Sequence, residues 1–142
     1  MALAELSLGD QTIQYDREKT LTLYCEIADG SADRCACAAC RNFIAQRRSA
    51  FPASFRQLLD QLGIDSGKEE HLYDCYGDSA KVGTVTYGGW FCLSGQMVKA
   101  GESMTDLDGV QCYFRRVGSE PSLLVLEFEL TLNSPSPDTP SA

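Results

Sequence analysis

Basic side chains are scarce: 12 lysines and arginines stand against 20 aspartates and glutamates, a formal net charge of -8. A surface of that sign repels phosphate backbones and anionic lipid headgroups, so nucleic acid and membranes are poor partners. No apolar run approaches the roughly 20 residues that cross a bilayer. The opening stretch MALAELSLGDQTIQYDREKT has no basic segment followed by an apolar one, so neither a signal peptide nor an anchor is expected there. Histidine occurs once, at His71, which leaves any Ser-His-Asp or Cys-His mechanism a single base. The chain also lacks G-x-S-x-G, H-E-x-x-H, a phosphate-cradling glycine loop and any internal repeat. Binding without catalysis is the expectation that these absences leave.

What is present describes a folded chain. Hydrophobic residues make up 44% and charged residues 23% of 142 positions, too apolar for disorder and enough for one core. A single domain is expected over residues 1–132, followed by a disordered tail, NSPSPDTPSA, over 133–142. Seven cysteines without a secretory signal read as reduced thiols in a cytoplasmic protein.

Hydrophobic periodicity sets the elements. Thr12–Tyr15 and Thr20–Ile27 alternate, the latter placing Leu21, Leu23, Cys25 and Ile27 on one side, which predicts strands. Between Cys37 and Phe51 the period changes: Cys40, Phe43, Ile44 and Phe51 line one face of a helix that Pro52 ends. A second helix is predicted over Ala53–Leu62, with Phe55, Leu58, Leu59 and Leu62 as its stripe and Gly63 as its stop. Strands are predicted at His71–Tyr76, through VGTVTYGGWFCLSGQMV, at Val110–Val117 and at Ser122–Leu132. Gly88-Gly89 reads as a bulge in preference to a hairpin turn. The expected fold is α+β, an antiparallel sheet of about five or six strands with two consecutive helices packed on one face.

One cluster carries chemistry. Cys35, Cys37 and Cys40 form C-x-C-x-x-C where a loop enters a helix, and zinc takes four such ligands as a tetrahedron. Three are local. Cys25 is the nearest fourth in sequence, while Cys75, Cys92, Cys112 and His71 could arrive through the fold. A packing role competes, because free cysteine behaves as a small apolar residue and Cys40 already sits on the helix stripe. A thiol-redox role for Cys37-Ala38-Ala39-Cys40 is the third reading, against which stands the missing strand–helix alternation of a thioredoxin-like domain.

Cys35-x-Cys37-x-x-Cys40-Arg41-Asn42-Phe43, Phe51-Pro52-x-x-Phe55 and Tyr87-Gly88-Gly89-Trp90-Phe91 together resemble a group of small uncharacterised bacterial cytoplasmic proteins. The likeness runs from about Cys35 to Gly95 and implies a bacterial cytoplasmic source, with no activity attached.

For binding, Tyr87 and Trp90 offer an aromatic surface and Arg41 and Arg48, with Arg47, a small basic face on the first helix. Glu102, Asp106 and Asp108 lack the ligand set of a calcium loop and read as a solvated acidic loop. The leading functional expectation is therefore an acidic protein-interaction module, immunity- or adaptor-like, with a protein partner. A small zinc-binding protein built on Cys35, Cys37, Cys40 and Cys25 is the alternative.

Overall fold

The computed structural model describes residues 3–35, 37–74 and 84–133. Among them, seven strands form one antiparallel sheet and three helices accompany it, an α+β fold. The strands are β1 (Ala4–Leu8), β2 (Gln11–Tyr15), β3 (His71–Asp74), β4 (Thr84–Lys99), β5 (Thr105–Leu107), β6 (Val110–Val117) and β7 (Glu120–Asn133). The helices are α1 (Arg17–Cys25), α2 (Ala38–Ala50) and α3 (Ala53–Leu62). Strand order is β1-β2-β4-β7-β6-β5, with β3 also paired to β4.

The predicted helices α2 and α3 form where expected. Pro52 separates them, and Gly63 closes α3 with a φ of 83°, the left-handed conformation that glycine adopts without steric cost. Their apolar faces meet the sheet through an aromatic cluster: Phe51 touches Phe43, Phe55, Phe91 and Phe128 at ring separations of 5.0 to 6.1 Å. The α2 stripe is rotated from its expected position. Cys40 and Phe43 are buried, whereas Ile44 is exposed, and Arg47 turns inward, its guanidinium 5.7 Å from the Phe43 ring centre. Ion pairing explains the turn, since Arg47 reaches Asp33 and the Gly67 carbonyl at 3.2 and 2.9 Å.

The predicted strand Thr20–Ile27 is instead helix α1 with its short C-terminal extension. Asp16 caps it by accepting the Lys19 N–H at 3.1 Å, and the residues that it buries are Thr20 and Tyr24, four apart and polar. Leu21, by contrast, is exposed. The reason lies at the edge of β4, where β2 pairs with one end and β3 with the other, leaving Phe91–Ser94 between them. There α1 supplies the missing partners. Thr20 Oγ1 accepts the Ser94 N–H at 3.0 Å, the Asp16 N–H reaches the Ser94 carbonyl at 3.0 Å, and the Tyr24 hydroxyl donates to the Cys92 carbonyl at 2.6 Å. Buried backbone groups need such partners, and these contacts outweigh the accidental alternation of α1.

No bulge occurs at Gly88-Gly89: the β4–β7 register runs unshifted from Thr84↔Asn133 to Ser94↔Leu123. Close approach explains both glycines. A Cβ on Gly88 would lie 2.5 Å from the Tyr73 ring, and one on Gly89 would lie 2.4 Å from the His71 carbonyl oxygen. The acidic loop also holds more structure than expected. Asp108 and Gly109, both at positive φ, make the two-residue turn of a β5–β6 hairpin. Strand β7 continues to Asn133, whose carbonyl accepts the side-chain amides of Asn42 and Gln46. Cys75 and Tyr76 of the predicted third strand, and tail residues 134–142, lie outside the described residues. No helix among the described residues is long and apolar enough to cross a membrane.

Candidate metal centre

The site is built where a 3-10 turn, Ala32–Arg34, hands the chain to α2. Glu69 holds that turn. Its side chain is buried, one carboxylate oxygen accepts the Ala32 N–H at 2.7 Å, and its own carbonyl accepts the Ser31 N–H at 2.9 Å. Arg47 ties Asp33 to α2, so the turn is fastened from both sides. Asp33 is held below the usual carboxylate range: the Gly30 N–H and the Arg47 guanidinium outweigh a desolvation that acts the other way. Burial pushes the Glu69 carboxyl up, with the Ala32 N–H and Arg47 partly opposing. The second Glu69 oxygen and Arg47 Nε are buried without a hydrogen-bond partner.

Cys37 is the N-cap of α2. Its backbone is extended, at φ -73° and ψ 161°, and Sγ accepts the Cys40 N–H at 3.4 Å, the place an aspartate or serine oxygen usually takes. Sulfur at a helix N-terminus meets unpaired N–H groups and the positive end of the helix dipole. The Cys40 N–H, then the thiols of Cys35 and Cys40, hold the Cys37 thiol below its ordinary value. Burial has the opposite effect on Cys40, which is 7% exposed and pushed well up. Cys35 and Cys37 are exposed.

The fold brings the three sulfurs together, all within 4.8 Å of one another. A tetrahedral ion with bonds of about 2.3 Å wants its sulfurs ~3.8 Å apart, so a contraction of no more than about 1 Å would seat one. The first turn of α2 is itself anchored. The Tyr87 hydroxyl donates to the Ala39 carbonyl at 2.6 Å and accepts from Asn42 Nδ2 at 3.0 Å, which fixes the backbone beside Cys40. Asn42, Glu69 and Tyr87 thus have positioning roles; the sequence marks Tyr87 only as part of an aromatic stretch and Asn42 only by its place after the cluster, and Glu69 carries no signal there.

Other expected residues go elsewhere. Cys25, the expected fourth ligand, closes α1 and does not join the cluster; it is exposed beside a depression lined by Arg17, Leu21, Tyr24 and Lys68. Its displacement follows from α1 being a helix along the sheet edge. Cys92, Cys112 and His71 also lie apart from the three sulfurs, and burial pushes the Cys92 and Cys112 thiols up to about 11 and about 12. Cys75 lies outside the described residues.

Of the interaction candidates, Tyr87 and Trp90 do not share a surface. Tyr87 is fully buried on the helix side, so it offers no surface for a partner. Trp90 projects from the other face of the sheet. One side of its ring stacks on His71 at 4.7 Å, Arg115 lies 5.6 Å from its centre, and Nε1 donates to Glu70 at 2.8 Å. Arg41 is exposed on α2, and the side chain of Arg48 on the same helix lies outside the described residues. Comparison of the chain with protein-family models, with curated proteins and with solved structures found no match.

Proposed function

We propose that this protein binds a thiophilic metal ion, zinc before others, through Cys35, Cys37 and Cys40, and that the ion locks the 3-10 turn to the start of α2. The observation that carries the reading is the convergence of three sulfurs within 4.8 Å at a helix N-terminus. Packing accounts for Cys40 alone, since Cys35 and Cys37 are exposed and bury nothing. Thiolates are soft ligands that favour zinc and copper(I) over the hard cations that oxygen sites take. The ion must displace the Cys40 proton, so binding releases protons and weakens in acid.

Cobalt(II) titration of the reduced protein tests this. Thiolate-to-cobalt charge-transfer bands that saturate at one equivalent, vanish on zinc addition and are lost in Cys37→Ser support the reading. A spectrum without charge-transfer bands sinks it. The net charge of -8 supports a second reading, a module that docks a basic protein partner. Salt-sensitive recovery of one partner on immobilised protein would favour it; no partner at low or physiological salt would remove it.

A further inference from the structure

Cys37 and Cys40 differ in a way that metal binding does not require. The Cys37 sulfur stands exposed at the open end of α2, within reach of a small molecule. Cys40 lies one turn on, buried against the core, with its N–H directed at Cys37 Sγ across 3.4 Å. Residues three apart on a helix have Cβ atoms about 5–6 Å apart. A disulfide needs about 3.5–4.5 Å, and the extended backbone of a cap residue leaves room to close that gap. The arrangement pairs an accessible attacking sulfur with a sheltered second one. The cap alone creates it, so it needs no thioredoxin-like fold around it.

We propose that Cys37 and Cys40 form a reversible disulfide by exchange with low-molecular-weight disulfides such as oxidised glutathione. The Cys37 sulfur, its proton passed to solvent, attacks one sulfur of the small disulfide; that S–S bond breaks and one small thiolate leaves with its electron pair and takes up a proton. The mixed disulfide on Cys37 is then attacked by Cys40, whose proton passes to solvent, and the second small thiolate leaves. Two electrons move from the two cysteines to the small disulfide, and two small thiols are produced. Cys40 is the resolving partner because α2 and the Tyr87–Ala39 bond fix it beneath Cys37. In a zinc-loaded protein the same exchange removes two of the three sulfur ligands and expels the ion. That consequence rests on the metal reading, whereas the disulfide itself does not.

The test exposes reduced full-length protein, metal-free and zinc-loaded, to oxidised glutathione. The readouts are intact mass, fragmentation of the tryptic peptide Cys35–Arg41 and zinc released to a chromogenic chelator. The proposal expects a loss of two hydrogens per chain, a Cys37–Cys40 link, reversal by reductant and one zinc released per disulfide. Cys40→Ser should accumulate glutathione on Cys37, Cys37→Ser should leave the cluster unoxidised, and Cys25→Ser should behave as the parent. A glutathione adduct that persists on parental Cys37, or a link through another pair, overturns the proposal. If zinc never binds but the link forms, the metal reading alone fails; if zinc binds and the metal-free protein makes no link, this proposal alone fails.

Discussion

Gly30→Ala should damage both the fold and the site, because Gly30 sits where the Cys35-bearing turn meets its anchor. A Cβ at Gly30 would lie 2.6 and 2.7 Å from the two Glu69 carboxylate oxygens and 2.7 Å from the Gly67 carbonyl oxygen. All three distances are well inside ordinary contact. The Gly67 carbonyl is backbone and already accepts Arg47 at 2.9 Å, so the carboxylate must yield and its bond to the Ala32 N–H goes with it. Overpacking costs about 1–3 kcal/mol and a lost hydrogen bond to a charged group about 1.5–3 kcal/mol. The reduced freedom of the unfolded chain returns about 0.4–1 kcal/mol. Because one movement relieves the clash and breaks the bond, the two costs overlap, and a net loss of about 3 kcal/mol is expected.

At roughly 2–4 °C per kcal/mol for a chain of this size, Tm should fall by about 9 °C. Urea unfolding of metal-free, reduced protein measures the stability, and chelator competition measures zinc affinity, which should fall about tenfold as Cys35 shifts. Gly67→Ala is the control, since its Cβ would meet Arg47 and Asp65 only at 3.4 Å. A Gly30→Ala loss no greater than that of Gly67→Ala, or a large loss with zinc affinity unchanged, would refute the anchoring.

Three further outcomes follow from the same geometry. Thr20→Val leaves the buried Ser94 N–H without its acceptor and should cost about 2 kcal/mol in urea unfolding, whereas Thr22→Val, on the exposed side of α1, should be near neutral; equal effects would remove α1 from the sheet edge. Burial raises the folded-state pKa of Glu69 above the ordinary value near 4.5, so the native state holds its proton longer than the unfolded chain does. Its contribution to stability is therefore full below about 4.5, is lost as pH rises through its raised value and then levels off. Glu69→Gln should remove that fall from a stability-versus-pH curve, and an unchanged curve would show that Glu69 is not responsible. The lowered Cys37 thiol should alkylate at pH 7 faster than a free cysteine peptide, with its rate rising from lower pH; a rate equal to the peptide's would show that the cap leaves the thiol unaltered.

The fold is legible in the sequence where backbone chemistry punctuates the chain. Pro52 and Gly63 bracket α3, and the alternation of Leu124, Leu126, Phe128 and Leu130 marks the sheet face that meets the helices. The fold is not legible where burial is polar. Thr20 and Tyr24 are inside because they complete the hydrogen bonding of a strand edge, so hydrophobic periodicity, reading Leu21, Leu23, Cys25 and Ile27, saw a strand. The signal that points the other way is Asp16 three residues before Lys19, an N-cap in a charged run. Ile44 and Arg47 exchanged roles for a related reason, since an ion pair with Asp33 draws Arg47 over Phe43. At the site, the three local cysteines were legible from spacing, because the loop–helix junction alone brings them together. Cys25 was not, since its distance from the cluster depends on where α1 lies. Tyr87 and Trp90 stand together in one aromatic stretch of the sequence, but, three apart on β4, strand pleating sends them to opposite faces.

Metal content per chain, measured by elemental mass spectrometry on reduced protein purified without chelator, tests the three-cysteine centre most immediately. The parent should carry about one equivalent of zinc, and Cys37→Ser should lose it. Below about a tenth of an equivalent in the parent, with none taken up on adding zinc, the three sulfurs are not a metal centre.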